Sequence, residues 1–294
     1  SEKYLDQRRR ERFALFCNMK PEDIISNPDL KSVYEIPLVL HKQGMDEKIL
    51  KKLGLKVGKP DLRSWEELVS KINSKKSKEV TIAIVGKYFG TGDYQLRDSY
   101  AALLDAIDHA SWQVGVGVKT VWVDSEKVEK EGVNIIGNPD GLIVPIGWGE
   151  RGAEGMIAAA SYARDRKIPY LGLCYGMQLG VVSFARDVLD WLDANTTEND
   201  KTTKHPVIHL MPKQKKFMAK RAYGGTMRLG AWEAMVKKGT QAYEIYKEYG
   251  GLKNSEGLTS ERHRHRYEFN NDYAEDFEKK GMEGKVSLLL KARR

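Results

Sequence analysis

From Val80 onward, short apolar runs alternate with stretches whose apolar residues recur at helical spacing. TIAIVGKY (81–88), KTVWVD (119–124), GLIVPIGWG (141–149), IPYLGLC (168–174) and HPVIHLM (205–211) have the length and β-branched content of buried strands. YQLRDSYAALLDAIDHA (94–110), GAEGMIAAASYARDRK (152–167) and MQLGVVSFARDVLDWL (177–192) carry a helical period between several of them. This alternation predicts an α/β fold, a mostly parallel sheet flanked by helices on both faces. Before Val80 the text differs. Residues 1–55 hold a charged start, SEKYLDQRRRERF, a short apolar piece, FALFCNM, and the helix-like DEKILKKLGL. Residues 56–79 contain a helical stretch closed by a Lys/Ser cluster, which reads as a linker. The expected division is therefore 1–55, a linker at 56–79, and an α/β domain at 80–294.

Ligands of open parallel sheets bind outside the carboxyl ends of the strands, and Gly86, Gly147 and Cys174 fall there. The chain of 294 residues has a formal net charge of +8, which suits an anionic partner such as a nucleotide. No aromatic-basic repeat or nucleic-acid motif accompanies the charge, so scattered lysines read as a soluble surface and no nucleic-acid partner is expected. The basic run Arg8 to Arg12 reads the same way, as a solvated or interacting tail. No apolar run approaches the length of a membrane span, and the charged start is unlike a signal peptide. Two cysteines, Cys17 and Cys174, make no disulfide framework, which places the chain in a reducing cytoplasm.

Cys174 stands between the strand-like IPYLGL and Tyr175-Gly176, with a helical pattern behind it. Strand, sharp turn and helix is how an α/β protein raises one nucleophile above a sheet edge. Small residues permit the turn, and the helix start favours the thiolate. The local pattern alone leaves a second reading open, a buried core cysteine at a strand end.

Longer blocks carry a resemblance. FALFCNMKPEDIISNPDLKSVYEIPLVLHKQGM resembles the closing segment of the synthetase domain of the CTP synthase family. VGKY, GERGAEGMI, IPYLGLCYGMQ, DANTTE, HPVIHLMP, GGTMRLGA and ERHRHRYEFNN resemble successive blocks of that family's class I glutamine amidotransferase domain, in the family's order. The resemblance implies that the complete enzyme makes CTP from UTP. ATP, with Mg, phosphorylates the uracil 4-oxygen, and ammonia from glutamine displaces the phosphate. Cys174 matches the family's nucleophile, which forms a glutamyl thioester. The implied partners are glutamine for this chain, UTP, ATP and CTP for the complete enzyme, and further copies in a tetramer. No cofactor and no metal are expected on this chain itself.

The resemblance also places the glutamine site. Gly147 lies where the family has a Gly-Gly pair that approaches the substrate. Tyr175, Gly176, Met177 and Gln178 follow the nucleophile, with the Tyr175 amide facing the oxyanion. Glu198 and Arg266 match residues that hold the ammonium and carboxylate of glutamine, the complementarity which that end requires. Without the family they read as a solvated ion pair. In the synthetase segment, Arg12 resembles a position that meets the pyrimidine nucleotide, and Asp29 lies near the adenine site; their bland reading is surface charge.

Two departures from the family pattern stand out. Ile146 occupies the first position of the glycine pair, which is strained if that position needs positive φ and only a steric change otherwise. The family completes its triad in a His-Pro-Glu segment, and none of His41, His109, His205, His209, His263 and His265 lies in one. KVSLLLKARR reads as a strand just before that segment, and the family's amino-terminal phosphate-binding portion has no counterpart in the 294 residues. The expectation is a chain without glutaminase turnover on its own. The alternative reading is a non-catalytic amidotransferase-like module for binding or assembly.

Overall fold

Strand formation follows the apolar runs closely. A computed structural model describes residues 3–91, 94–95, 97–211, 214 and 227–282, which fall into two compact units. The first unit runs up to Lys78 and includes Asp108–Gly117; the second holds Glu79–Ile107 and the residues from Val118 onward.

In the second unit, β1 (Glu79–Gly86), β2 (Gly117–Asp124), β3 (Gly141–Val144) and β4 (Tyr170–Gly172) form a sheet in the order β2-β1-β3-β4. β1 and β3 are parallel with Ala83 opposite Leu142, and β3 and β4 are parallel with Val144 opposite Gly172. The period of two along β1 separates two cores. Ala83 and Val85 join Val144, Met156, Leu179 and Val182 in the larger apolar cluster, while Ile84 packs with Phe89, Tyr100 and Leu104 in the other. The larger cluster is closed by two helices that pack on each other, Ala153–Asp165 and Tyr175–Val188. The first is rich in alanine and glycine, so backbones approach closely: a Cβ on Gly155 would lie 1.9 Å from the Ser125 carbonyl oxygen.

One of the five apolar runs leaves this sheet. Pro206–Leu210, from HPVIHLM, pairs in parallel with Asn195–Thr196 and antiparallel with Tyr267–Phe269 in a separate three-stranded sheet. A run of β-branched residues specifies a buried strand and not its neighbours; here the chain from Leu192 doubles back through Asn195–Thr196 and pairs first. Arg228–Met235 and Leu258–His265 form an antiparallel ribbon. The helical pattern from Tyr94 also begins later than expected, with a 3₁₀ turn at Arg97–Tyr100 before the helix Ala101–Val114. KVSLLLKARR lies outside the described residues.

The first unit is helical: Gln7–Cys17, Ile36–Lys42, Met45–Lys52 and Arg63–Asn73. Asp6 caps the first helix by accepting from the Arg9 amide at 2.8 Å, and Asn18 ends it in the left-handed region. Gln43 bridges back to Ser26, donating to its carbonyl and accepting from its amide, both at 2.8 Å. Arg63–Asn73 lies within the segment read as a linker, and its Trp65 indole donates to the Tyr34 carbonyl. Tyr34 in turn packs edge-on against Trp112.

A tight joint in the second unit lies at Gly172 and Gly176. A Cβ on Gly172 would lie 2.6 Å from the Met177 amide nitrogen, and one on Gly176 would lie 1.9 Å from the Val144 carbonyl oxygen. Replacing Gly176 by Ala should cost about 1–3 kcal/mol of stability, because backbone must shift to admit the methyl. Gly58→Ala, where a Cβ meets nothing within 4 Å, should stay within about 0.5 kcal/mol of the parent. Thermal melts of both variants check this; equal stability would mean that the joint opens at no cost.

Candidate active site

The site is built where β4 turns into the helix Tyr175–Val188. Leu173 donates to the Val144 carbonyl at 2.9 Å, extending the pairing of β4 with β3 by one residue. Cys174 then takes φ 52° and ψ −105°, a conformation that L-residues avoid. Such strain costs on the order of 1–3 kcal/mol and persists only when the surroundings over-determine it. They do here, through the glycine contacts on either side and the Gly176 amide bonded to Leu173 O at 3.0 Å.

The Cys174 side chain lines a cavity of about 580 Å³ with Gly147, Tyr175, Gln178, Glu198 and Arg266. The structure thus brings together six of the residues that the sequence singled out for glutamine. Gly176 lies beneath them as the packing contact already described, and Met177 lines a smaller neighbouring pocket of about 130 Å³ that also reaches Cys174. Arg12 and Asp29 are exposed residues of the other unit and take no part in this cavity.

The electrostatics differ from the expectation for a helix start. Burial pushes the Cys174 thiol above its ordinary value; the Tyr175 backbone N–H pulls the other way, and Glu198 adds to the rise. Burial likewise raises the Glu198 carboxyl, opposed by the Gly149 N–H and by Lys87. Raised in this way, the thiol keeps its proton at neutral pH. A bound ammonium beside Glu198 would offset the carboxylate's effect.

The loop after β3 carries Ile146 and Gly147. Neither residue is in the left-handed region, so Ile146 introduces no backbone strain. The residue is partly exposed at the rim of the cavity that it helps to line, and its carbonyl accepts from the Tyr100 hydroxyl at 3.1 Å. Gly147 matters through proximity: a Cβ there would lie 3.2 Å from Tyr175 Cδ1. Gly149 does need its φ of +75°. Its N–H donates to Glu198 Oε1 at 2.9 Å, and its carbonyl accepts from both the Tyr175 hydroxyl (2.7 Å) and Lys87 Nζ (2.6 Å).

The far wall comes from Leu258–His265 and the residues after it. Alternation along RHRHR exposes Arg262 and Arg264 and buries His263. His263 Nδ1 lies 2.8 Å from His265 Nε2, and His265 Nδ1 donates to the Tyr267 carbonyl at 2.9 Å. That carbonyl also accepts from Gln178 Nε2 at 3.0 Å, which ties the wall to the nucleophile's helix. Burial holds His265 down at about 4 and lowers His263 as well. Both nitrogens of His265 are engaged, and the Cys174 sulfur donates to the Arg264 carbonyl at 3.8 Å. The pair acts as a neutral brace and not as a base for the thiol. Arg266 Nη1 donates to Gln214 Oε1 at 2.9 Å.

Sequence reasoning passed over Lys87, Trp148, Gly172 and the arginines at 262 and 264. Two signals pointed to them. Lys87 directly follows Gly86 at a strand's carboxyl end, and Gly172-Leu-Cys174-Tyr-Gly176 has the small-residue spacing of a nucleophile turn on both sides. Among the described residues no group of His, Cys, Asp and Glu is arranged to hold a metal ion, and no helix is long and apolar enough to cross a membrane.

The chain is similar to known proteins over most of its length. A CTP synthase of Caldanaerobacter subterraneus subsp. tengcongensis is 46% identical over 279 residues, 95% of this chain and 49% of the relative. One of Pyrococcus abyssi is 45% identical over 282 residues, 96% of this chain and 49% of the relative. The chain thus spans about half the length of the curated relatives it matches. The solved glutaminase domain of Trypanosoma brucei CTPS, with acivicin bound, superposes with a TM-score of 0.59 at 36% identity, over 69% of this chain and 72% of that one. The family model of the CTP synthase N-terminus matches residues 1–55, and that of glutamine amidotransferase class-I matches residues 95–286. The chain belongs to the class I glutamine amidotransferase family.

Proposed function

We propose that this chain carries the glutamine-hydrolysing half of a CTP synthase. The observation that carries the reading is the strained Cys174 turn, whose thiol faces a cavity walled by a carboxylate and a guanidinium. Glutamine enters with its ammonium toward Glu198 and its carboxylate toward Arg266, which brings the side-chain carboxamide to the sulfur. The thiolate adds to the amide carbon, and the oxyanion forms beside the Tyr175 amide and the Gly147 loop. The C–N bond then breaks, the proton given up by the thiol passes to the leaving nitrogen so that neutral ammonia departs, and a glutamyl thioester remains on Cys174. Water cleaves the thioester to glutamate and restores the thiol.

In the complete protein the ammonia would replace the 4-oxygen of UTP after phosphorylation by ATP with Mg, giving CTP. Arg12 and Asp29 are the positions of this chain offered to those nucleotides. A tetrameric assembly and a cytoplasmic setting belong to the same reading. The relatives are named as enzymes, which favours catalysis over a binding or assembly module.

The two cysteines provide a crossed test. Cys17 is exposed and Cys174 half-buried with a raised thiol pKa, so iodoacetamide at pH 7 should label Cys17 faster. A glutamine-analogue electrophile should reverse that order and label Cys174. Because the thiol is shifted upward, its labelling by either reagent should keep rising with pH beyond the range where an ordinary thiol levels off. Peptide mapping reads both sites; labelling of Cys17 by the analogue at the rate of Cys174 would remove Cys174 from the site.

Glutamine binding tests the other end of the cavity. In a Cys174→Ser background, which removes the nucleophile, Arg266→Ala should weaken glutamine binding by about 1.5–3 kcal/mol, the worth of a charge-assisted hydrogen bond. Arg264→Ala should change it by less than about 1 kcal/mol, as expected for an exposed charge. Calorimetry that finds the two variants indistinguishable would take the carboxylate away from Arg266.

A further inference from the structure

Lys87 is a charged residue that the chemistry above does not use. It is 2% exposed and stands immediately after β1, at the same edge of the sheet as Cys174. An ammonium is costly to bury unless its donors are matched. Here Nζ donates to the Trp148 carbonyl at 3.0 Å and to the Gly149 carbonyl at 2.6 Å, and sits 4.8 Å from the centre of the Tyr175 ring. The stem runs under the loop, with Cδ 3.8 Å from where a Cβ of Gly147 would be. Burial lowers its pKa to about 8, with Glu198 the largest influence in the other direction.

The partners of Lys87 converge on the two peptides that flank Gly149. The Gly149 carbonyl has two lone pairs and two donors, Lys87 Nζ and the Tyr175 hydroxyl. Asn199 Nδ2 donates to that hydroxyl at 2.8 Å and so orients its proton toward Gly149. On the next side of the same glycine, the N–H holds Glu198 Oε1. Gly149 itself has φ +75°, a conformation in which a glycine is free to move when its bonds are released. We infer that Lys87, acting with the Tyr175 hydroxyl, is the positioning residue that pins the two peptides flanking Gly149, so that Glu198 and the Gly147 loop are set for the amino-acid end and the carboxamide of glutamine. This rests on reading the cavity as a glutamine site. Lys87 touches no substrate; it acts through the loop.

The test compares a reagent that needs the whole site with one that needs only the thiol. In the full chain, Lys87→Met keeps the stem and removes the ammonium, and Tyr175→Phe keeps the ring and removes the hydroxyl. Lys87→Met should slow labelling of Cys174 by a glutamine-analogue electrophile about 30-fold, as expected when a positioning contact is lost, and Tyr175→Phe about 5-fold. Iodoacetamide labelling of Cys174 should change less than about 3-fold in either variant, since it uses neither Glu198 nor the loop. Equal loss with both reagents, or none with the analogue, would overturn the role of Lys87. Should Lys87→Met fail to melt cooperatively, Tyr175→Phe decides alone, and unchanged reagent selectivity there overturns the clamp. A parent chain that the analogue fails to label at Cys174 would overturn the glutamine reading and the positioning role together, whereas failure confined to the variants sinks only the latter.

Discussion

Everything in the site is referred to the backbone of Cys174. A residue with φ 52° and ψ −105° is held there because a strand and a helix meet with almost no space between them. Gly172 lets Met177 approach, and Gly176 lets the helix rest on the Val144 carbonyl. Neither contact admits a methyl group, so the two glycines convert packing energy into backbone strain at the one residue between them. At these dihedrals Cys174 stands at the end of the sheet and lines the cavity.

The second feature is how buried charge is handled. Lys87, Glu198 and the thiol lie close together with limited solvent, and each pays for burial in its own titration. Their charges are distributed through one peptide, Trp148–Gly149: the Trp148 carbonyl faces the cation and the Gly149 N–H faces the anion. A peptide dipole between two opposite charges keeps them apart while satisfying both. On the opposite wall the paired histidines 263 and 265 are neutral braces, and the Tyr267 carbonyl joins that wall to Gln178. The cavity is therefore anchored from both sides by backbone groups, which move less than side chains.

Much of this was legible in the order of residues. The apolar runs at 81–88, 119–124, 141–149 and 168–174 became the four strands of one sheet, because β-branched runs bounded by glycine and proline have few other ways to bury themselves. Cys174 at a strand end before a helix was visible for the same local reason. The matched blocks that place Glu198, 24 residues beyond the nucleophile, and Arg266, in the bend after Leu258–His265, carried the site further than periodicity does. Tertiary structure alone decided that HPVIHLM pairs outside the main sheet, since neighbours depend on which strand returns first. It alone decided that Ile146 is unstrained, because φ is set by the loop's path and by the Tyr100 hydroxyl that donates to its carbonyl. It also decided that the thiol is raised and not lowered, since a helix start is a local feature while desolvation is the sum of everything packed around a group. Lys87 shows the limit most plainly: a lysine after a strand reads as surface charge until the loop at 148–149 closes over it.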